Sequence, residues 1–128
     1  MANQVIKTSQ APQAIGPYSQ AIASGKMVFT SGQIPLDPST QQLVPGDIRA
    51  QTERVMENLA AVLEAAGCGF ADVVKASIFV ADLADFATVN EVYGRRFLSN
   101  PPARSTVQVA ALPRGARVEI DLIAIQPG

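Results

Sequence analysis

Histidine is absent from the sequence, and cysteine occurs once, at Cys68. Without histidine the chain cannot build a Ser-His-Asp triad, a Cys-His nucleophile pair or a histidine general base. Zinc sites that use histidine or paired cysteines are excluded as well, so we expect no metal site. Cys68 stands between two glycines with no basic neighbour, which favours a turn residue over a reactive thiol. Carboxylates, tyrosine and ordered water remain as possible proton carriers.

Charged residues are also scarce. They make up 16% of the chain, against roughly 25% in an average soluble protein, whereas hydrophobic residues reach 48%. A length of 128 residues fits one domain, so we expect residues 1–128 to fold as a single unit. A monomer of this size needs more charge to cover its surface, and we therefore expect a homo-oligomer that hides part of that surface.

Basic residues form no stripe along the sequence, and the formal net charge is −1. Nucleic acid is therefore a disfavoured partner. No run approaches the ~20 apolar residues that cross a bilayer. The N-terminal segment also lacks a basic start followed by an apolar core. We expect a soluble, unexported protein of the cytoplasm that does not bind membranes.

The first half of the chain predicts a strand, a loop and a helix. KMVFTSGQI, residues 26–34, is rich in β-branched and aromatic residues and predicts the strand. PLDPSTQQLVPG, residues 35–46, predicts the loop. The helix is predicted from Asp47, its N-terminal cap, to Ala66, with Gly67 as its terminator. Its apolar residues recur at helical spacing: Ile48, Val55, Met56, Leu59, Val62 and Leu63.

The next segment predicts a buried strand over residues 73–82 and a second helix from Leu83 to Phe97. This helix places four large side chains on one stripe: Phe86, Val89, Tyr93 and Phe97. Asn90 falls on the same stripe, where an amide needs hydrogen-bond partners. Two interpretations of Asn90 stay open: a side chain bonded to backbone at the edge of the stripe, or one that faces a ligand.

The final segment, NPPARSTVQVAALPRGARVEIDLIAI, predicts two strands joined by a turn at LPRGA. The polar residues of these strands are Arg104, Thr106 and Gln108 on the first and Glu119 and Asp121 on the second. The complete order of elements predicts an α+β fold in which two helices cover one face of a mixed sheet. The other, more polar face then needs a partner.

Three polar residues admit two interpretations each. The spacing of Arg104 and Glu119 favours a cross-strand ion pair at a sheet edge, and the alternative is a cavity that holds an anion. Tyr18 lies beside the Gly-Pro turn of AIGPYSQAI. Its phenol is either part of the core edge or a hydrogen-bond donor to a ligand.

Four blocks of the sequence, IGPYSQAI, TSGQIP, DLADFATVNEVY and PPARSTVQVAALPRGARVEI, resemble the successive signature blocks of the RidA (YjgF) family of enamine and imine deaminases. The resemblance runs nearly end to end. It implies a chorismate-mutase-like α+β fold and a homotrimer with clefts between adjacent subunits. It also implies the hydrolysis, without a cofactor, of 2-enamino and 2-imino acids released by pyridoxal-phosphate dehydratases. The products would be 2-oxo acids such as 2-oxobutanoate, and ammonia.

The same resemblance implies roles for individual residues. Arg104 of PARS would grip the substrate carboxylate, and Glu119 of VEI would hold the attacking water. The residues implied around the substrate are Tyr18, Ser31, Gly32, Asn90 and Thr106. Some relatives carry cysteine where this chain has Thr106, so a main-chain contact is the role expected there. Burial should raise the pKa of Glu119, and a nearby Arg104 should oppose that rise.

Two other functions remain open. A non-catalytic module would use the same clefts to bind small carboxylates, although the presence of Glu119 argues against it. The other is an RNA-cleaving or translation-inhibiting protein. The near-neutral charge and the lack of histidine weaken this second alternative.

Overall fold

A computed structural model describes residues 3–128 of the chain. The strands, in chain order, are β1 (Gln4–Ile6), β2 (Ala21–Ser24), β3 (Met27–Thr30), β4 (Leu36–Asp37), β5 (Gln42–Leu43), β6 (Val73–Val80), β7 (Ala103–Gln108) and β8 (Val118–Ile125). The helices are α1 (Ile48–Ala65) and α2 (Phe86–Gly94). Six of the strands form one mixed sheet in the order β1-β2-β3-β8-β6-β7, and both helices pack on the same face of it. The predicted α+β fold is confirmed.

Helix α1 matches its prediction closely. The Asp47 carboxylate caps its start by accepting a hydrogen bond of 3.0 Å from the Ala50 amide. Gly67 follows its end with a φ of +75°, a conformation that favours glycine. All six apolar residues of the predicted helical pattern are buried. This helix supplies the central layer of the core above the sheet.

Helix α2 is shorter than the predicted span from Leu83 to Phe97. A 3₁₀ turn occupies Leu83–Asp85, because the Asp82 side chain accepts a hydrogen bond from the Ala84 amide and tightens the chain there. Phe97 lies beyond the end of the helix but still packs on Tyr93, with ring centroids 4.7 Å apart. The predicted apolar stripe therefore extends to Phe97, although the regular helix ends at Gly94.

Two predictions near the start of the chain are corrected. The strand predicted over 26–34 is regular only from Met27 to Thr30, and Gln33 adds an isolated bridge to Ile120. The segment 35–46, predicted as a loop, contains the short hairpin of β4 and β5. Gln41 lies between these two strands with a φ of +60°, so a tight reversal is made without glycine and left no sequence signal.

The last two strands do not pair with each other. Strand β6 lies between them, parallel to β7 and antiparallel to β8. The sequence predicts both strands but not this insertion, because alternation in a strand carries no information about its neighbours. As a result, β7 is an edge strand whose outer backbone groups have no partner among residues 3–128.

The open face of the sheet, opposite the helices, is rich in apolar side chains. Met27, Phe29, Val107 and Ile125 on this face are each between 40% and 45% exposed. Met27 and Phe29 neighbour Ile125 and Ile123 across β3 and β8, and exposed apolar groups of this kind often mark an interaction surface. In the described part of the chain, no helix is long and apolar enough to cross a membrane.

Candidate active site

Arg104 stands on edge strand β7, beside helix α2. Its Nη1 donates a hydrogen bond of 2.6 Å to Oδ1 of Asn90. The guanidinium carbon lies 5.3 Å from the centroid of the Tyr93 ring and 5.6 Å from that of Phe86. Two aromatic faces and one amide therefore orient the guanidinium, and the residue as a whole is exposed.

A groove of about 500 Å³ opens beside this guanidinium. Asn90 and Arg104 supply its polar groups, and Tyr93, Phe97, Pro101 and Pro102 supply apolar walls. Few polar groups on a mostly apolar surface are typical of small-molecule sites. The arrangement suits a small anion that carries an apolar substituent.

The Asn90 side chain does not bond to backbone, as one of its two interpretations required. Its amide oxygen bonds the Arg104 side chain instead of backbone, and the residue is exposed at the groove. The interpretation of Asn90 as an amide bonded to backbone is therefore wrong. The contribution of Phe86 and Tyr93 was missed, although their positions four residues before and three after Asn90 place all three on one helix face.

Glu119 lies on β8 and faces away from the helices. A Cβ atom built on Gly32 would lie 2.2 Å from Oε2 of Glu119, so only glycine leaves room for the carboxylate. Gln33 and Ile120 exchange backbone hydrogen bonds of 2.9 and 3.2 Å. Because these residues directly follow Gly32 and Glu119, their pairing fixes the close approach.

Ser31 connects this region to the loop that carries Tyr18. Its hydroxyl donates a hydrogen bond of 2.5 Å to the Ser19 carbonyl, and its amide donates one of 2.9 Å to the Gln20 carbonyl. The Tyr18 side chain is exposed, and its hydroxyl accepts a hydrogen bond of 3.3 Å from the Ile15 amide. The core-edge interpretation of Tyr18 is therefore wrong.

Within one chain, Arg104 and Glu119 lie on opposite faces of the sheet. Arg104 pairs with Ala76 of β6 on the helix side, whereas Glu119 pairs with Phe79 on the open side. Strand β6 also separates their two strands, so the cross-strand ion pair is wrong. The expectation that one polar face carries both is wrong for the same reason, since Val107 of β7 shares the open face.

The pKa of Glu119 is raised above its ordinary value, chiefly by burial and further by the Asp121 carboxylate. Burial also raises the pKa of Asp121, and a hydrogen bond from the Ser77 side chain opposes that rise. The predicted increase for Glu119 is confirmed. Within one chain Arg104 does not oppose this rise, because the sheet lies between the two side chains. The opposition expected in a cleft between subunits stays a prediction.

Thr106 follows Arg104 on β7 by two residues and lies on the same side of the sheet. Its hydroxyl is buried and has no hydrogen-bond partner among the described residues. Buried hydroxyls normally find a partner, so this one marks an incomplete environment at the sheet edge. Across residues 3–128, no group of three or more acidic or cysteine side chains is placed to hold a metal ion.

Comparison with known proteins identifies the class to which this fold and site belong. The sequence model of the family described as Endoribonuclease L-PSP matches residues 8–126. A protein of the conserved Rid family from Yersinia pestis has a solved structure that superposes with a TM-score of 0.95, at 48% identity over 97% of this chain and 99% of that one. The chain therefore belongs to the RidA (YjgF) family, as its four sequence blocks predict.

Curated relatives are similar over almost their whole length. The protein DfrA of Myxococcus xanthus is 64% identical over 98% of this chain and 97% of its own. A mouse protein named 2-iminobutanoate/2-iminopropanoate deaminase is 52% identical over 96% of this chain and 91% of its own. The alignments cover 98% and 96% of this chain and therefore include both halves of the candidate site.

Proposed function

We propose that this protein is a 2-iminobutanoate/2-iminopropanoate deaminase of the cytoplasm. It hydrolyses the C=N bond of short 2-imino acids, and of the enamines in equilibrium with them, to 2-oxo acids and ammonia. The name of the mouse relative supports this activity. The exposed Arg104 guanidinium carries the proposal, since an amide and two rings orient it and leave its other donors available at a groove.

Arg104 binds the substrate carboxylate. A planar guanidinium matches a carboxylate with two parallel hydrogen bonds, and such charge-assisted pairs are roughly twice as strong as neutral ones. Among residues 3–128, the arginines that form ion pairs are Arg49, Arg54, Arg95 and Arg117. Arg104 instead faces neutral groups, which leaves its charge uncompensated for an acidic ligand.

Glu119 activates the attacking water. The carboxylate takes a proton as the water oxygen bonds to the carbon of the protonated imine, and the C=N π electrons move to nitrogen. The resulting neutral carbinolamine takes that proton back on its nitrogen and expels ammonia, and loss of its hydroxyl proton leaves the 2-oxo acid. A raised pKa brings the carboxylate nearer to neutral pH, where it is a more effective base.

The complete site requires two copies of the chain. Arg104 and Glu119 lie on opposite faces of one sheet, so one chain cannot bring both to the same small substrate. We propose a homotrimer in which the open face and the free edge of β7 meet a neighbouring copy. The apolar side chains of that face and the low charged fraction of 16% support such burial.

The remaining candidates complete this site. Asn90 fixes the direction of the Arg104 fork, and Gly32 leaves space for Glu119 while offering its backbone to the substrate. Ser31 ties the Tyr18 loop to the Glu119 side. Tyr18 contributes a phenol to the substrate from that loop, and Thr106 contributes a main-chain group.

The activity is tested by generating 2-iminobutanoate with a threonine dehydratase and following its loss with a trapping reagent. Wild-type protein should accelerate the loss, and Arg104→Ala should lower kcat/KM by about 100-fold, since truncating one partner of a hydrogen-bonded charge pair costs about 2–5 kcal/mol. Arg104→Lys should also lose most activity, because a point charge cannot replace the fork.

Arg95→Ala is the matched control, since Arg95 is an exposed arginine just past α2 that pairs with Glu91. It should retain wild-type activity. Equal rates for wild type and Arg104→Ala would reject the proposed role. Ligand binding without turnover would instead favour the carboxylate-binding module, and RNA cleavage that disappears in Glu119→Gln would favour the endoribonuclease.

A further inference from the structure

Asp121 lies two residues after Glu119 on the same face of β8. In a strand such residues are neighbours, with Cα atoms roughly 7 Å apart. Ser77 of β6 stands directly opposite Asp121, and Phe79 stands directly opposite Glu119. Both carboxylates are half-buried, so the charge of one is poorly screened from the other.

Few other charges face this pair. On the open face, β6 contributes Lys75, whose ammonium lies 3.4 Å from the Ser105 hydroxyl of β7. The residues that β3 turns to this face are Met27 and Phe29, which do not titrate. Arg104 of the same chain is on the other side of the sheet, and the proposed assembly adds the neighbouring copy's Arg104 as a cation near Glu119. Within the described chain, Asp121 is therefore the nearest charged neighbour of Glu119 along the strand.

We infer that Asp121 is a positioning residue for the reaction, which sets the pH range in which Glu119 works as a base. The inference rests on the proposed function of Glu119. A carboxylate beside Glu119 disfavours its ionised form, and burial acts in the same direction. The Ser77 hydrogen bond favours the charged form of Asp121, which is the form that acts on Glu119.

The first test is the pH dependence of kcat/KM, with uncatalysed imine decay subtracted at each pH. Asp121→Asn removes the neighbouring charge, so Glu119 stays ionised to lower pH. The ratio of kcat/KM at pH 5 to that at pH 8 should rise about two- to five-fold over wild type, as expected from loss of one like charge. Asp121→Glu keeps the charge and should restore the wild-type profile.

Ser77→Ala is a second variant that does not alter either carboxylate. It removes the hydrogen bond that favours the charged form of Asp121, so the profile should move in the same direction by a smaller amount. Profiles of both Asp121→Asn and Ser77→Ala that superimpose on wild type would overturn the inference. If Asp121→Asn does not fold, Ser77→Ala alone decides, and an unchanged profile then overturns it.

A direct titration separates this inference from the proposed function. The chain has five glutamates, so side-chain carbonyl carbon labelling with Glu119→Gln as the reference assigns the Glu119 resonance. Its titration midpoint should move to lower pH in Asp121→Asn. An unmoved midpoint overturns the role of Asp121. A midpoint that moves without any change in the rate profile retains that coupling but rejects Glu119 as the catalytic base.

Discussion

The two faces of β8 have different roles, since one is buried against the helices and the other carries the candidate catalytic carboxylate. The residues that face the helices are fully or almost fully buried: Val118, Ile120, Leu122 and Ala124. The residues that alternate with them on the open face retain exposure: Glu119, Asp121, Ile123 and Ile125. One strand therefore supplies the core of the fold and the candidate chemistry at alternate positions, because side chains in a strand change face at every residue.

Side chains also alternate between the two faces along strand β7, but there the candidate functional residue lies on the helix side. Arg104 points to the helix side, but β7 lies at the sheet edge, where α2 covers it only in part. The candidate anion-binding group and the candidate base are thus held on different faces by the same sheet. The sheet keeps the two groups apart within one chain, and under the proposed function a second copy of the chain brings them together.

The largest expected effect comes from mixing two inactive variants, which tests whether Arg104 and Glu119 act from different copies of the chain. Arg104→Ala and Glu119→Gln should each be nearly inactive alone. Co-expressed in equal amounts and assembled at random, they should recover about one quarter of the wild-type sites, each with Arg104 from one copy and Glu119 from another. The measurement is kcat per chain in the imine-loss assay, compared with the separately purified proteins.

The control for this mixing is co-expression of Glu119→Gln with the double variant that carries both changes. No intact Glu119 is then present, so no activity should return. If the original pair also stays inactive while assembling normally by size exclusion, both groups must act from one chain. That result would require the sheet geometry to change on assembly.

Gly32→Ala should have the next largest effect. The added methyl would meet Oε2 of Glu119 at 2.2 Å, and the flexible carboxylate would move away. We expect kcat to fall by about 10- to 100-fold, since small displacements of a catalytic group are costly. The fold should persist, because the atoms displaced are the end of one side chain. Activity and thermal unfolding of the same preparation measure both effects.

Gly69→Ala is the matched change for Gly32→Ala. Gly69 has a φ of −131° and no atom within 4 Å of the position that a Cβ would take. Its substitution should alter neither activity nor assembly. Loss of activity in both variants would mean that the methyl acts through general destabilisation and not through Glu119.

The sequence predicts most elements of the fold because their signals are local. Helix α1 has an aspartate cap, a terminal glycine and an apolar stripe, and all three occur where they are predicted. The hairpin of β4 and β5 was missed, since Gln41 takes a left-handed conformation that its residue type does not announce. Local signals also do not predict the strand order, because β6, which lies between β7 and β8 in the sheet, comes from a distant part of the chain.

The candidate site likewise combines residues that local sequence predicts with features that depend on long-range structure. The blocks PARS and VEI identify Arg104 and Glu119, but their opposite orientation depends on pairing through β6. The need for glycine at position 32 emerges only from its contact with Glu119. The sequence identifies Asp121 only as a polar strand residue, because its influence on Glu119 depends on both side chains being half-buried on one face. Long-range burial and pairing therefore decide what the motif residues can do.

The smallest predicted effect concerns stability and tests whether Arg104 of one copy approaches Glu119 of another. A carboxyl whose pKa is raised on folding ionises more readily in the unfolded chain. It therefore lowers stability as the pH rises from its ordinary value of about 4.3 through the raised value. In an Arg104→Ala background, Glu119→Gln should raise Tm slightly at pH 7, and this gain should vanish near pH 4.

The same substitution should stabilise less in the background that retains Arg104, because a guanidinium from the neighbouring copy would favour the ionised carboxylate. Scanning calorimetry of the four proteins at several pH values measures the difference between the two gains. A smaller gain in Tm with Arg104 present would mean that Arg104 of one copy lies close to Glu119 of another. Identical gains at every pH would mean that Arg104 and Glu119 remain as far apart in the assembly as they are in one chain.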